Sequence, residues 1–235
     1  MGAERLPGKV MLEIAGQTML ERVVRRTQRA QTIDSIVVAT TANSADDAVA
    51  DAAGALGVEV TRGSEEDVLD RFRQAAEEHA ADTCVRICAD SPLIDPEVCD
   101  AAVRAYRDAR PRVDYASNKL EPTYPLGLDV EVFSREALMQ AWNSATEDFQ
   151  RSHVTVYIYQ NPSLFHLLPV KAEADFHSLR WTVDTPEDLE FAAAVFSRFG
   201  GSNDFGWRDV LELLEREPDL TSINSGVRPR ELSEG

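Results

Sequence analysis

Two aspartates stand where a carboxylate is free to do chemistry. In TCVRICADSPLIDPE, Thr83 to Glu97, the residues Cys84, Val85, Ile87 and Cys88 make a nearly continuous apolar run, as in a central parallel strand. Asp90 follows, and Ser91-Pro92 forbids the strand from continuing. The next helix has its own start signals: Asp95 as N-cap, Pro96 at the first helical position and Glu97 in the first turn. Asp90 is therefore left without a structural task. The same grammar returns in LRWTVDTPEDLE, where Thr185 caps, Pro186 opens the helix and Asp184 is free at the end of the preceding strand. Open α/β sheets bind their ligands at that edge; the competing reading of each aspartate is a solvated loop carboxylate. Such a pair suits Mg2+, which takes oxygen ligands and is commonly held by one or two carboxylates plus substrate phosphates and water. The ion would neutralise a nucleoside triphosphate and the charge that develops as pyrophosphate leaves.

The remaining candidates are cations and loop polars. MGAERLPGK, at the start of the chain, offers Arg5 as a planar fork and Lys9 as a mobile point charge for phosphate, with Gly2 and Gly8 letting backbone amides approach. A plain surface turn is the alternative. Thr40, Asn43, Arg62 and Arg71 end or follow strands on the same edge and are candidates to read base and ribose, or else are caps and ion-pair partners. Tyr124, Asp129, Glu131, His153 and Arg180 are candidates to frame a sugar acid. His153 falls in the apolar stretch HVTVYIY, where a packing histidine is the alternative.

The elements that must position these groups read as strand, turn and helix in repetition, which predicts an α/β fold with a mostly parallel sheet between helices. The first half carries helices from Thr18, Asp46 and Ser64 and strands at Asp34–Thr40 and Val58–Thr61. In the second half, 113–178 reads as a small inserted β-rich lobe for sugar binding or dimerisation, with strands at Val113–Ser117, Leu128–Phe133 and Phe165–Val170. One helix is expected over Phe149–Gln160, a last strand over Leu179–Val183, and a loose tail over 217–235. The whole, 1–235, is expected to be a single domain.

Composition narrows the partners. The 235 residues carry a formal net charge of −17, which excludes a broad basic face for nucleic acid. A small polyanion remains possible through a local cationic loop and a divalent ion. Lysine occurs only at 9, 119 and 171; arginine supplies the other positive charges. No apolar run approaches the ~20 residues of a membrane span, so a cytoplasmic location is expected. The thiols of Cys84, Cys88 and Cys99 are read as buried and unpaired, since residues four apart on a strand stand roughly 13 Å apart.

With these residues in view, the chain resembles the cytidylyltransferases of sugar activation. It is most similar to the spore-coat polysaccharide biosynthesis branch and more distantly to the 3-deoxy-manno-octulosonate and acylneuraminate cytidylyltransferases. The carriers are MGAERLPGK, IVVATTAN, RGSEEDVLDR, CADSPLIDP, TYPLGLDVEVF, HVTVYI and LRWTVDTPEDLE, from Met1 to about Asn224. The resemblance implies a nucleotide-diphosphosugar transferase fold, usually dimeric, that joins CTP to a sugar acid to give a CMP-sugar and pyrophosphate. It matches Asp90 and Asp184 to the family's magnesium aspartates, and Arg5 and Lys9 to its phosphate loop. Relatives carry a strand and a Gln-Ala-Arg segment before that loop, so either the start lies upstream of Met1 or a core strand is lacking. Two rival readings are a nucleotide-binding paralogue without turnover and a glycosyltransferase of similar fold. The latter would carry Asp-x-Asp where this chain has Ala89-Asp90-Ser91.

Overall fold

Thr18 is the first residue whose sequence signal can be checked. Its hydroxyl accepts from the Glu21 amide and caps α1 (Met19–Thr27), directly after a hairpin of β1 (Glu13–Ile14) and β2 (Gln17–Thr18). The protein is described by a computed structural model, which covers residues 5–228. After α1, β3 (Val37–Thr41), α2 (Asp47–Ala55) and β4 (Glu59–Gly63) form a β-helix-β unit with parallel strands. Then come α3 (Val68–Glu78), β5 (Thr83–Arg86), α4 (Pro96–Ala109), β6 (Tyr115–Ser117), β7 (Glu131–Ser134), α5 (Arg135–Ser144), α6 (Asp148–Ser152), α7 (Val156–Gln160), β8 (Leu167–Pro169), α8 (Pro186–Arg198), α9 (Trp207–Arg216) and α10 (Asp219–Ser222).

A second sheet runs β5-β7-β6-β8. Its two faces bury different cores, and the period-2 alternation of strands decides which residue serves which. Ala116 and Val132 join Leu93, Ile94, Val98, Tyr106, Trp181 and Phe196 on the face covered by α4, α8 and α9. Their strand neighbours Tyr115 and Phe133 face Leu69, Leu138, Ile158 and Phe165, from α3, α5, α7 and the segment before β8. This is the helix–sheet–helix layering expected of an α/β fold.

Several local expectations need correction. The strand expected through Cys84, Val85, Ile87 and Cys88 ends at Arg86 as β5 and pairs antiparallel with β7, not parallel. An apolar run reports that both faces are covered; it says nothing about the partner's direction. Among the described residues β3 pairs only with β4 and β5 only with β7. Residues 113–178 are not a separate sheet, since they supply β6, β7 and β8 to the sheet that holds β5. Leu179–Val183 forms a single bridge, Leu126 with Arg180, instead of a strand. The helix expected over Phe149–Gln160 is broken into α6 and α7, because fully buried Val154 takes φ 60°, a left-handed conformation that a β-branched residue adopts only when packing imposes it. Finally, the stretch from Glu217 is not loose where it is described: Leu220 in α10 and Asn224 are 6 % and 5 % exposed.

Candidate active site

Asp90 and Asp184 come from turns some ninety positions apart, and backbone hydrogen bonds lock those turns together. The Val183 amide donates to the Asp90 carbonyl at 2.8 Å, and the Thr182 hydroxyl donates to the same oxygen at 3.2 Å. The segment carrying Thr182 is itself pinned by a close crossing at Gly127, whose φ is 107°. A Cβ there would lie 2.5 Å from the Thr182 nitrogen, so only glycine lets the Leu126 carbonyl receive the Trp181 amide at 2.7 Å.

The caps do what the sequence assigned to them. Asp95 accepts from the Glu97 and Val98 amides at the start of α4, and its other oxygen accepts from Trp207 N at 2.7 Å. Thr185 and Asp188 form a reciprocal capping box at α8. Both catalytic candidates are thus relieved of capping, and their side chains converge.

The point of convergence is the ammonium of Lys9. Its Nζ donates to Asp90 Oδ2 and Asp184 Oδ1 at 2.8 Å each, and to the Val183 carbonyl at 2.9 Å. The two carboxylate oxygens therefore lie no farther apart than twice 2.8 Å. Lys9 reaches them from the 3-10 turn Lys9–Met11, which begins after Gly8 at φ 68°. Burial pushes the ammonium's pKa down, but Asp90 and Asp184 outweigh it, and the net shift is upward. At Asp184 burial raises the carboxyl, and hydrogen bonds and charge from Lys9 and Arg180 bring it below the usual range.

A second layer holds Asp184 from behind. Arg180 donates to Asp184 Oδ2 at 2.7 Å and to both oxygens of Asp188 at 2.9 and 3.0 Å. Asp188 also receives the Asp184 amide and Asn224 Nδ2. Arg5 completes the set with Nη2 3.1 Å from Asp184 Oδ2. Sequence reasoning missed Asp188 and Asn224. The first stands in the opening turn of α8, where Thr185 accounts for the cap, and the second lies in the stretch expected to be a loose tail.

Other expected residues divide. Thr40 is buried and donates to Asp46 at 2.8 Å; Asn43 donates to Glu65; Arg62 donates to Thr41 O, Asn43 O and Asp47. Arg71 donates to Ser64 O at 2.6 Å. These four make the contacts of the cap and ion-pair alternative, and the buried Arg71 Nε is left without a partner among the described residues. Arg180 is bound to Asp184 and Asp188 instead of facing a sugar. Tyr124 packs against Trp207, with ring centroids 5.4 Å apart. Gly2 lies outside the described residues.

Glu131 is corrected from substrate contact to support, because at 1 % exposure it cannot touch a ligand directly. It accepts from Tyr115 Oη at 2.7 Å and Thr155 Oγ1 at 2.5 Å, and pairs with Arg86. Burial raises its carboxyl, yet Arg86, Lys119 and these hydroxyls hold it down at about 2. His153 caps the end of α6 instead of sitting inside a helix, and its buried Nε2 has no partner among the described residues. Burial, with Arg86 and Lys119 beside it, lowers its pKa and keeps the ring neutral. Asp129 makes no hydrogen bond or ion pair with any described residue; burial first, then Glu131 and Asp90, pushes its carboxyl up to about 6.

Chemically, two carboxylates that already share one cation form an oxygen-only donor set suited to a hard divalent ion. Among the described residues no third acidic, histidine or cysteine side chain joins them. The rest of a coordination sphere would come from water and phosphate, as is usual for Mg2+. The residues fit the ion that the aspartates implied.

An α/β scaffold with paired carboxylates and basic groups at the strand ends defines a nucleotidyltransferase type of site. Residues 1–210 match the cytidylyltransferase family. The chain is 33 % identical to the spore coat polysaccharide biosynthesis protein SpsF of Bacillus subtilis (strain 168), over 94 % of this chain and 93 % of that one. It is 30 % identical to the 3-deoxy-manno-octulosonate cytidylyltransferase of Anaeromyxobacter sp. (strain Fw109-5), over 83 % of this chain and 93 % of that protein. Among solved structures, a cytidylyltransferase from Leptospira borgpetersenii superposes with a TM-score of 0.91 at 30 % identity, covering 98 % of this chain and 95 % of its own. This chain belongs to the cytidylyltransferase family, and its fold is that of the nucleotide-sugar transferases.

Proposed function

We propose that the protein transfers the cytidylyl group of CTP to a hydroxyl of a sugar acid, releasing pyrophosphate, with Mg2+ held by Asp90 and Asp184. The observation that carries this reading is the convergence of both carboxylates on one cation position, at Lys9 Nζ. The sugar hydroxyl would attack the α-phosphate in line and give up its proton to water; the new bond is oxygen to phosphorus, and the bond broken joins that phosphorus to the oxygen leading to the β-phosphate, which leaves as pyrophosphate. Bound there, Mg2+ would neutralise phosphate charge in both ground and transition states. Lys9 and Arg5, now resting on the aspartates, are near enough to transfer their donors to phosphate oxygens. Arg180 and Asp188 keep Asp184 oriented. Catalysis on this scheme is positioning and charge stabilisation. The sugar-acid substrate is supported by similarity to the 3-deoxy-manno-octulosonate enzyme. The expected homodimer and cytoplasmic setting belong to the same reading.

The test is pyrophosphate release from CTP with a panel of sugar acids, including 3-deoxy-manno-octulosonate and N-acetylneuraminate, with and without Mg2+. Turnover that requires both the metal and a sugar acid is the expected result. CTP binding without turnover on any sugar acid would overturn it in favour of a nucleotide-binding role.

A further inference from the structure

Lys119 is one of three lysines in a chain that otherwise takes its positive charge from arginine. Its Nζ makes no hydrogen bond and no ion pair with any described residue; only its backbone amide is bonded, to Ser117 Oγ at 3.0 Å. The residue is solvent-exposed, yet desolvation is the largest influence on its ammonium, ahead of attraction to Glu131 and Asp129. Its backbone neighbours set it beside charged groups: Ser117 stands opposite Glu131 in the ladder, Glu131 opposite Arg86, and Asn118 bonds Leu128 O and Val130 N on either side of Asp129.

Neighbouring charged groups tie this region to Asp90. Cys88, two residues before Asp90, feels Arg86, Asp90, Lys119 and Glu131. Asp129 feels Lys119, Glu131, Asp90 and Arg86. The backbone carries the same link: Asn118, next to Lys119, bonds the Leu128 carbonyl, Gly127 crosses Thr182, and Thr182 bonds the Asp90 carbonyl, whereas Lys9 and Arg5 engage the Asp90 and Asp184 carboxylates. Arg86 is the other cation nearby, but Glu131 holds it, so its charge is already answered. Asp129 and the Nε2 of His153 are unpartnered polar groups in the same region.

We infer that Lys119 is the residue that recognises the substrate's carboxylate. The inference rests on the function proposed above: with Lys9 and Arg5 committed to the triphosphate, the attacking sugar acid needs a separate cation, and the Asn118–Leu128 region bonded toward Asp90 carries one. An acidic sugar brings a negative charge that needs a cation, and Lys119 is the one there without an ion-pair partner among the described residues. Asp129, half-buried and unpartnered among the described residues, offers a carboxylate to the sugar's hydroxyls. A lysine suits a carboxylate whose orientation varies with the sugar, because its ammonium is a point charge on a flexible stem.

The experiment takes the sugar acid of the panel that is turned over fastest and compares wild type, Lys119→Met and Lys119→Arg. Lys119→Met should raise KM for the sugar acid roughly ten- to a hundredfold, the loss expected for one charged hydrogen bond, and leave KM for CTP within about twofold. Lys119→Arg should recover most of the loss. The preference of wild type for the free acid over its methyl ester should shrink in Lys119→Met by the same factor. An unchanged sugar KM, or an equal rise in the CTP KM, overturns the assignment while leaving cytidylyl transfer intact. Absence of turnover by wild type with every sugar acid overturns the parent reading and this one with it.

Discussion

Replacing Lys9 by methionine separates two tasks performed by one ammonium. In the free protein Nζ bonds Asp90 and Asp184 at 2.8 Å each, so a metal can reach both carboxylates only if Lys9 leaves. Hydrogen bonds to charged partners are worth roughly 1.5–3 kcal/mol each. The side chains of Asp90 and Asp184 are 28 % and 24 % exposed, which screens part of that. Displacing Lys9 then costs the metal about 2 kcal/mol, or roughly thirtyfold in affinity. Removing the ammonium also leaves two carboxylates close together, and at an effective dielectric of about 20 and a separation of about 5 Å they repel by about 3 kcal/mol. Both effects make the pair a better host for Mg2+.

Lys9→Met should accordingly bind Mg2+ at least tenfold more tightly than wild type when no nucleotide is present. Catalysis should move the opposite way, because losing one preorganised donor to developing charge lowers kcat by roughly 10²–10³. Calorimetric titration with MgCl2 reads the first effect and pyrophosphate release reads the second. Equal Mg2+ affinity in the two proteins would show that the ammonium does not compete for the cation position. Undiminished turnover would show that Lys9 does not serve the phosphates.

Asp90→Asn and Asp184→Asn should differ in stability though both abolish most activity. The Asp90 side chain bonds only Lys9 among the described residues, so its loss should move Tm by no more than about 2 °C; Asp184 also anchors Arg5 and Arg180, and its loss should lower Tm by roughly 3–6 °C in thermal unfolding. Gly127→Ala should destabilise by more than about 3 kcal/mol in urea unfolding, since the added carbon meets backbone 2.5 and 2.7 Å away. Asp129 carries a folded pKa of about 6 against an ordinary 3.8, so the native state binds more protons between those values and its stability falls as pH rises through that window. The difference at pH 8 is on the order of 3 kcal/mol at most; Asp129→Asn should flatten the curve, and an unchanged pH profile would sink the assignment.

What the sequence made legible were features written in local chemistry. Caps announce themselves within four residues, so Asp95 and Thr185 could be recognised, and by subtraction so could Asp90 and Asp184. Sheet direction is not local: Cys84 and Val85 look the same whether β7 runs with them or against them. The break at Val154 was hidden for a related reason, because a buried valine in the left-handed region is imposed by packing across the chain and runs against its own preference. Polar loop residues such as Thr40 and Arg62 read equally well as ligands or as braces, and the contacts to Asp46 and Asp47 that brace them come from residues whose placement the sequence does not announce.

The same reasoning explains why Lys119 went unnoticed while Lys9 did not. Lys9 belongs to a glycine-flanked loop whose composition already suggests phosphate. Lys119 follows a short strand and precedes the TYPLGLDVEVF motif without belonging to it, so the sequence marks Tyr124 and Asp129 but not the lysine. Its significance arises only after β5, β6 and β7 align, bringing Arg86, Glu131 and Asp129 around it. Glu131 then takes Arg86, and the ammonium of Lys119 is left without an ion-pair partner among the described residues. A residue of this kind is defined by what its neighbours have already satisfied, which is a property of the folded arrangement and of no segment of the chain alone.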